Sequence, residues 1–245
     1  MTKILGIIPS RAKSSRFPNK PLADIHGKPM VWWTYTQAKK VAEFDDLVVA
    51  TESDEIMRVC KSLDIPAIMT ADTHATGTDR LAEVSSRMPA DIYVNVQGDE
   101  PIIEPEVIRA AIPPLLNDTN VKLTCLMTAI DDPVEVVNIT VPKVITNVDN
   151  RCVFMTRAAA PAPKGSIGYK FYKQTCVYGF RPEALDFFRT APRGKMEKIE
   201  DIELLRFVEA GWHLQMVEVN ATSVAVDTQL DLEKVRELMV ERKMV

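Results

Sequence analysis

The sequence predicts an α/β protein: one doubly wound domain over residues 1–245, with a mostly parallel sheet and a strand-rich insertion at about residues 121–181. Three observations predict this fold. Before residue 121, short β-rich runs alternate with helical patterns, and strand–helix–strand order produces a parallel sheet. Within the insertion the strand-like runs follow one another directly, which is typical of antiparallel or mixed pairing. Helical patterns then return after residue 181.

The predicted strands are short runs, rich in β-branched and other apolar residues and bounded by turn signals. In chain order they are "KILGIIP", "LVVAT", "DIYVNVQ", "KLTCLMTA", "KVIT", "RCVFMTR", "QTCVYGFR" and "LQMVEV". Helical patterns separate the first three runs from one another, so these three are expected to pair in parallel.

The predicted helices carry apolar residues at spacings of three and four, the pattern of a helix with one buried face. The early ones cover residues 31–43, 53–63 and 78–87. A later segment, "KIEDIELLRFVEAG", places Ile199, Ile202 and Leu205 on one face. It ends at Gly211, the residue type that most often stops a helix.

The composition excludes several classes of protein. With 46% hydrophobic residues, 26% charged residues and a formal net charge of −4, the chain is an ordinary globular protein and not a disordered one. No apolar run approaches the roughly 18 residues of a membrane span, and "ILGII" is too short for a signal-peptide core. We therefore expect a cytoplasmic protein without membrane insertion. The four cysteines and three histidines are scattered, which predicts neither a zinc knuckle nor a disulfide framework.

The loop after the first strand, "PSRAKSSRFPNKPL", carries Arg11, Lys13, Arg16 and Lys20. Ligands of an open parallel sheet bind beyond the carboxyl ends of its strands, and this loop is the usual phosphate site. It lacks both common glycine-rich phosphate motifs. Side chains must then supply the contacts to phosphate. The arginines can form bidentate hydrogen bonds to phosphate oxygens, and Ser14 can turn backbone amides toward an anion. The alternatives are a solvated surface loop or a nucleic-acid patch, and the acidic net charge disfavours the second.

Two acids follow apolar runs in the same way. Asp99 ends the run in "DIYVNVQGDEP", and Asp227 ends the run in "TSVAVDTQLDLEKV". Mg²⁺ usually takes one or two protein carboxylates, with phosphates and water completing its shell. Each acid also has a simpler explanation: a solvated Gly-Asp turn for the first, and for the second the start of a helix, where Thr228 and Asp231 form a capping box. Together with the basic loop, the two acids predict a site for Mg²⁺ and a nucleoside triphosphate.

Four segments, "IPSRAKSSRFPNKPLADIHGKPM", "THATGTDRLAEV", "VNVQGDEP" and "VDTQLDLEKVR", resemble the motifs of the 3-deoxy-manno-octulosonate (Kdo) cytidylyltransferases, a branch of the sugar nucleotidyltransferases. The likeness covers nearly the whole chain in the same order. It implies a Rossmann-like fold of the nucleotide-diphospho-sugar transferase type and a homodimer built through the strand-rich insertion. It also implies Mg²⁺ as cofactor and the reaction of CTP with Kdo to give CMP-Kdo and pyrophosphate, in lipopolysaccharide biosynthesis.

The resemblance implies roles for individual residues. The expected nucleotide-binding residues are Arg11, Ser14, Arg16, Lys20, Arg80 and Gln97. The expected catalytic residues are Arg11, Lys20 and Asp99, and the expected metal ligands are Asp99 and Asp227. The expected sugar-binding residues are Gln97, Glu100, Gln174, Tyr178, Glu200 and Glu203. The choice between Glu200 and Glu203, both in the helix predicted for "KIEDIELLRFVEAG", stays open, and Lys143 and Arg157 match the family more loosely.

One segment departs from the family pattern. Where the related enzymes read much like K-H-x-G-I-Y-G-Y-R, this chain reads "KQTCVYGFR", with Gln174 in place of a sugar-facing histidine. An imidazole can become cationic and repel an ammonium, whereas a Gln carbonyl accepts a hydrogen bond from one. The change favours 8-amino-3,8-dideoxy-manno-octulosonate (8-amino-Kdo) over Kdo, unless one neutral group has merely replaced another. A transferase for a sialic-like acid or a sugar 1-phosphate, and a non-catalytic nucleotide sensor, remain alternatives.

Overall fold

The computed structural model describes residues 2–13, 17–165 and 168–245. Its strands, in chain order, are β1 (Ile4–Pro9), β2 (Asp24–Ile25), β3 (Lys28–Pro29), β4 (Asp46–Thr51), β5 (Ala67–Met69), β6 (Ile92–Val96), β7 (Leu123–Ala129), β8 (Lys143–Thr146), β9 (Cys152–Thr156), β10 (Tyr172–Phe180) and β11 (Leu214–Glu218). Its helices are α1 (Met30–Ala38), α2 (Asp54–Ser62), α3 (Gly77–Arg87), α4 (Pro105–Arg109), α5 (Pro113–Asn117), α6 (Pro133–Val137), α7 (Pro182–Thr190), α8 (Lys195–Glu200), α9 (Leu205–Glu209) and α10 (Gln229–Glu241). Within these ranges, no helix is both long and apolar enough to cross a membrane.

The first part of the chain builds the parallel part of the sheet. β1 pairs in parallel with β4 and with β6, and β4 pairs in parallel with β5. Every residue of β1 and β6 is buried, as expected for strands that are covered on both faces. The predicted α/β class with a mostly parallel central sheet is confirmed.

β10 introduces the antiparallel part. It lies between β6 and β7 and pairs antiparallel with both, and β11 adds to the far edge in parallel with β7. β8 pairs with one end of β10 and with β9, away from the main path of the sheet. Two of the strands within residues 121–181, β7 and β10, are therefore central strands of the main sheet. The division of the chain into one domain with an insertion stays a prediction.

Alternate residues of β1 enter two different cores. Leu5 and Ile7 pack in a cluster that includes residues of α3, α7 and α9. Ile4 and Ile8 pack on the other face, with residues of α1, α2 and α4. Burying apolar surface on both faces stabilises the sheet and fixes the strand ends at one common edge.

The predicted helix in "KIEDIELLRFVEAG" is wrong as a single helix. The segment forms the end of α8 and all of α9, separated by a left-handed residue, Asp201, with φ of 51°. Because of this break, Ile199 is 74% exposed while Ile202 and Leu205 are buried. The expected stop at Gly211 is present, with φ of 78° just after α9.

Candidate active site

Three charged side chains meet at the carboxyl edge of the parallel strands. Lys20 lies in the loop after β1, Asp99 in the turn after β6, and Asp227 in the segment that leads into α10. Lys20 Nζ is 2.7 Å from Asp99 Oδ2 and 3.3 Å from Asp227 Oδ1. The structure thus brings together one lysine and two acids that the sequence assigned to a single site.

A backbone contact holds the two acidic segments side by side. The Val226 amide donates to Asp99 O at 2.9 Å, so the residue before Asp227 is tied directly to the turn after β6. The chain then enters α10 at Thr228, whose side chain forms the predicted capping box with Asp231. The Asp227 amide also donates to Asp231 Oδ2, at 3.1 Å, so the cap fixes the backbone of Asp227 while its carboxylate approaches Lys20.

The turn after β6 needs a glycine at its centre. A Cβ added to Gly98 would lie 2.8 Å from Pro9 O, too close for any larger residue without a backbone shift. The Thr34 hydroxyl of α1 donates to Gly98 O at 3.2 Å and fixes the turn from the other side. Gln97, one residue earlier, places its side chain amide beside Gly77 at the start of α3. The turn is therefore held between β1, α1 and α3.

Glu100 differs chemically from its neighbour Asp99. It is only 6% exposed, and its carboxylate accepts a hydrogen bond from the Ser223 hydroxyl. Burial raises the pKa of Glu100 to about 7, and the nearby carboxylates of Asp99 and Glu104 act in the same direction. Near neutral pH this side chain is therefore able to donate a hydrogen bond as well as accept one.

The remaining cations of the basic loop are only partly described. Arg11 is exposed, and its Nη1 donates to Ala75 O, at 3.3 Å, in the segment before α3. Ser14 and Arg16, which the sequence assigned to the nucleotide, lie outside the described residues. Of the predicted phosphate ligands in this loop, the structure therefore places Arg11 beside α3 and Lys20 beside the two acids.

Arg80 does not reach the surface of the site. Its side chain is 1% exposed, and its Nη2 lies 2.9 Å from Glu52 Oε2. Its Nη1 donates to the Thr70 hydroxyl and to Ala71 O. The Arg80 guanidinium is therefore surrounded by protein oxygens, and its predicted contact with the nucleotide stays a prediction. Glu52 was not among the predicted site residues, although an acid just beyond the end of a parallel strand is also the signal that identified Asp99.

Gln174 and Tyr178 form a pair at a bulge in β10. The pairing of β10 with β7 shifts between Thr175 and Tyr178. Four residues of regular strand span about 13 Å, too far for most side chains to meet. Here Gln174 Nε2 donates to the Tyr178 hydroxyl at 2.9 Å. The irregularity therefore creates a polar pair that regular pairing would separate.

The structure separates the two glutamates that the sequence left undecided. Glu200 accepts hydrogen bonds from the Thr156 hydroxyl at 2.7 Å and from the Arg157 amide at 2.8 Å, so it fastens the end of β9. Glu203 accepts from the Thr78 amide at 2.9 Å, at the start of α3, and burial raises its pKa. Burial also raises the pKa of Tyr178, with Glu203 among the neighbours that add to the effect. Glu203 therefore binds the start of α3, whereas Glu200 binds the end of β9.

The two loosely matched cations bind backbone oxygens. Lys143 is buried, and its Nζ donates to Asn138 O at 2.8 Å and to Val141 O at 2.6 Å. Arg157 donates from its Nε to Glu200 O at 2.6 Å. Both side chains hold the region around β8 and β9 together, and neither lies with Lys20 at the sheet edge.

The chain resembles known proteins over its full length. The model of the cytidylyltransferase family matches residues 5–220. A 3-deoxy-manno-octulosonate cytidylyltransferase from Acidobacterium capsulatum is 36% identical over 241 residues, which is 98% of each chain. The enzyme of the same name from Escherichia coli is also 36% identical, over 98% of each chain. The chain belongs to the 3-deoxy-manno-octulosonate cytidylyltransferase family. It is a nucleotidyltransferase, as the four sequence motifs predicted.

A solved structure supports the same conclusion. The structure of CMP:2-keto-3-deoxy-manno-octonic acid synthetase complexed with CTP is 34% identical to this member of the family, with a TM-score of 0.93. The alignment covers 98% of this chain and 100% of that one. The arrangement of elements that carries Lys20, Asp99 and Asp227 is therefore that of a cytidylyltransferase.

Proposed function

We propose that the protein transfers the cytidylyl group of CTP to a Kdo-type sugar acid, with release of pyrophosphate. The observation that carries the proposal is the likeness, at 36% identity over 98% of both chains, to relatives named for this sugar acid. The proposed product is a CMP-sugar for lipopolysaccharide biosynthesis, and we expect the reaction to take place in the cytoplasm. The meeting of Lys20 with Asp99 and Asp227 supports nucleotide chemistry at the sheet edge.

The simplest chemistry is a direct displacement. The anomeric oxygen of the sugar acid forms a bond to the α-phosphorus, the bond from that phosphorus to the bridging oxygen breaks, and the hydroxyl proton passes to solvent. Arg11 and Lys20 are the cations in reach of a polyphosphate, and they stabilise the leaving pyrophosphate. A cysteine nucleophile has no support among the described residues, because burial raises the pKa of Cys60 to about 11 and of Cys152 to about 12.

Asp99 and Asp227 are the residues that we assign to Mg²⁺. Their oxygens already converge on one cation, Lys20 Nζ, and their side chains are 27% and 41% exposed, which leaves room for phosphate and water. The described residues contain no group of three or more His, Cys, Asp or Glu side chains suited to a metal. Two carboxylates completed by substrate and water are a usual donor set for Mg²⁺. When bound there, the ion neutralises charge that develops on the α-phosphate.

We assign the sugar to the side of the site formed by Gln97, Glu100, Gln174, Tyr178 and Glu203. Glu100 and Glu203 are carboxyl groups whose pKa burial raises, so each is suited to a hydrogen bond with a sugar hydroxyl. The other glutamate that the sequence proposed, at position 200, is already bound at the end of β9.

Gln174 is the basis for the finer proposal that the preferred sugar is 8-amino-Kdo. Its Nε2 donates to the Tyr178 hydroxyl, an orientation that leaves the carbonyl oxygen as the acceptor of the side chain. An uncharged acceptor can bind the ammonium of an amino sugar, whereas a protonated histidine would repel it. We expect a higher kcat/KM for 8-amino-Kdo than for Kdo, and a reversed or weakened preference in Gln174→His. Equal or greater efficiency with Kdo in the wild type would contradict the amino-sugar preference alone.

We also propose a homodimer that covers the region of α6, β8 and β9. Several apolar side chains are exposed there: Val134, Val137, Ile139, Val148 and Val153. A second copy of the chain is the occupant that the family resemblance implies, and burial of these side chains would stabilise it. Light scattering should give a dimer for the wild type and a monomer for Ile139→Asp. The control Val240→Asp, exposed on α10, should remain a dimer, and a monomeric wild type would contradict the proposal.

The direct test of the reaction is pyrophosphate release with CTP and Mg²⁺ against a panel of 3-deoxy octulosonates and nonulosonates. Release with Kdo or 8-amino-Kdo is expected. Pyrophosphate release only with a sialic-like acid would identify that acid as the substrate in place of Kdo. CTP binding without pyrophosphate release for any acid would identify a nucleotide sensor.

A further inference from the structure

The edge of the sheet holds a buried ion pair that belongs to neither the metal acids nor the sugar residues. Glu52 directly follows β4, the strand that pairs with β1, and Arg80 lies on α3. Glu52 Oε2 is 2.9 Å from Arg80 Nη2, and the two side chains are 6% and 1% exposed. The free energy lost when both charges leave water offsets much of the free energy gained from their attraction. A buried ion pair is therefore weak evidence for a contribution to stability. Its position offers another reason for its presence.

The pair reaches the basic loop through one hydrogen bond. The β1–β4 ladder ends with the Ser10 amide donating to Ala50 O at 2.8 Å. The next amide in the parallel pattern is that of Ala12, which donates at 3.0 Å to Glu52 Oε1. A side-chain carboxylate therefore replaces the strand carbonyl at the point where the chain leaves the sheet. This contact fixes the backbone of the residue that follows Arg11.

The same network restrains Arg11 from a second direction. Arg80 also donates to the Thr70 hydroxyl and to Ala71 O, which holds the segment that precedes α3. Arg11 Nη1 donates to Ala75 O in that segment. Glu52 therefore holds the backbone next to Arg11, through the Ala12 amide. Arg80 holds the segment before α3, which carries the carbonyl oxygen that accepts from the Arg11 guanidinium.

We propose that Glu52 and Arg80 are positioning residues for the nucleotide: they fix the Ala12 amide and hold Arg11 in the orientation that meets the CTP phosphates. The inference rests on the proposed binding of CTP and extends it to two residues that do not touch the ligand. It is an alternative to the direct nucleotide contact that the sequence predicted for Arg80.

Calorimetric titration with CTP in the presence of Mg²⁺ and without any sugar acid tests the inference. Glu52→Gln keeps the size of the side chain but leaves Arg80 without its counter-charge. Glu52→Asp keeps the charge but is one methylene too short to bind Ala12 and Arg80 together. We expect both variants to bind CTP about tenfold more weakly. Glu197→Gln is the matched control, because Glu197 is also buried and paired with an arginine, Arg206. It should lower the Tm while CTP affinity stays within twofold.

A double-mutant cycle with Arg11→Ala gives a readout that a purely structural role would not change. If Glu52 acts through Arg11, the effect of Glu52→Asp on the CTP Kd should largely disappear in the Arg11→Ala background. Additive losses in the cycle, or Glu52 variants that lower the Tm but bind CTP like the wild type, would overturn the inference. A wild-type protein that does not bind CTP would overturn the proposed function, and the inference with it.

Discussion

Two clusters in this protein each contain a cation that contacts two acids, in opposite environments. The edge cluster consists of Lys20, Asp99 and Asp227. The buried cluster consists of Arg206, Glu197 and Asp79. A second, more exposed cation, Arg193, lies 3.0 Å from Glu197 Oε1. The edge cluster lies at the carboxyl edge of the sheet, and the buried cluster lies where α8 and α9 meet the start of α3.

The buried cluster is held in one geometry. Arg206 binds Glu197 through two nitrogens, Nε to Oε2 at 2.8 Å and Nη2 to Oε1 at 2.7 Å. The guanidinium carbon lies 3.6 Å from the centroid of the Phe188 ring, and the side chains of Arg206 and Glu197 are 4% and 0% exposed. The Arg206 guanidinium is planar, its donors point in fixed directions, and it stacks on the Phe188 ring. It cannot change its hydrogen-bond partners without disrupting the packing of the core.

The edge cluster has none of these restraints. A single Nζ atom makes both contacts, and the side chains of Lys20, Asp99 and Asp227 are 13%, 27% and 41% exposed. An ammonium is a compact charge on a flexible stem without a fixed binding geometry. The comparison teaches that arginine is used where the cation must stay. We propose that lysine is used at the sheet edge because its ammonium can leave the two acids when a metal binds and can move to phosphate oxygens.

The largest expected effect is on stability, in the buried cluster. Arg206→Met should lower the free energy of unfolding by about 3 kcal/mol, because the buried carboxylate of Glu197 loses the arginine that contacts both of its oxygens and keeps only the more exposed Arg193. Urea denaturation measures this loss. The double variant Arg206→Met with Glu197→Met should recover part of the lost free energy of unfolding. A loss below about 1 kcal/mol in the single variant would contradict the view that the buried cluster is held rigidly by Arg206.

The next effect is on turnover, in the edge cluster. Asp99→Asn and Asp227→Asn keep the size of each side chain but remove a charged ligand, so pyrophosphate release should fall about a hundredfold or more. Far-ultraviolet circular dichroism should remain that of the wild type, because both acids are partly exposed. Turnover near the wild-type value in both variants at saturating Mg²⁺ is the result that would refute the metal assignment.

A smaller effect is expected for the basic loop. Lys20→Ala should weaken CTP use about tenfold or more, since a charge-assisted contact to phosphate is lost. The wild-type protein should show only weak, background binding to DNA or RNA, measured as a function of salt. Submicromolar binding to nucleic acid at physiological salt would reverse this interpretation of the loop.

Much of the fold and the centre of the site could be predicted because both depend on local patterns. Each of the eight predicted strands is present, and the capping box at Thr228 is formed. Lys20 and Asp99 follow from one rule, that ligands collect beyond the ends of parallel strands. Asp227 follows no strand, and the bond between the Val226 amide and Asp99 O brings it to the same place. The pairing of β7 and β10 within the main sheet could not be predicted, because a strand's own residues do not identify its partner.

Two features of the site depend on tertiary contacts that the sequence alone does not show. Arg80 looks like a surface cation in sequence, but Glu52 and Thr70, both distant in the chain, bury it. Glu200 and Glu203 would share a face of one helix. The left-handed residue Asp201 breaks that helix and directs them to different partners. A positive φ at an aspartate between two helical patterns has no reliable local signal.

The most direct test of the central claim, that Lys20 occupies the place of an exchangeable cation, is the Mg²⁺ affinity of Lys20→Met without CTP. If Lys20 neutralises Asp99 and Asp227 until the metal binds, its removal takes away a cation that competes with Mg²⁺ for these two carboxylates. Isothermal titration calorimetry should then show Mg²⁺ binding about twofold to fivefold more tightly than in the wild type, the equivalent of roughly 0.4–1 kcal/mol for a partly exposed ion pair. Unchanged or weaker Mg²⁺ binding in Lys20→Met would contradict the account.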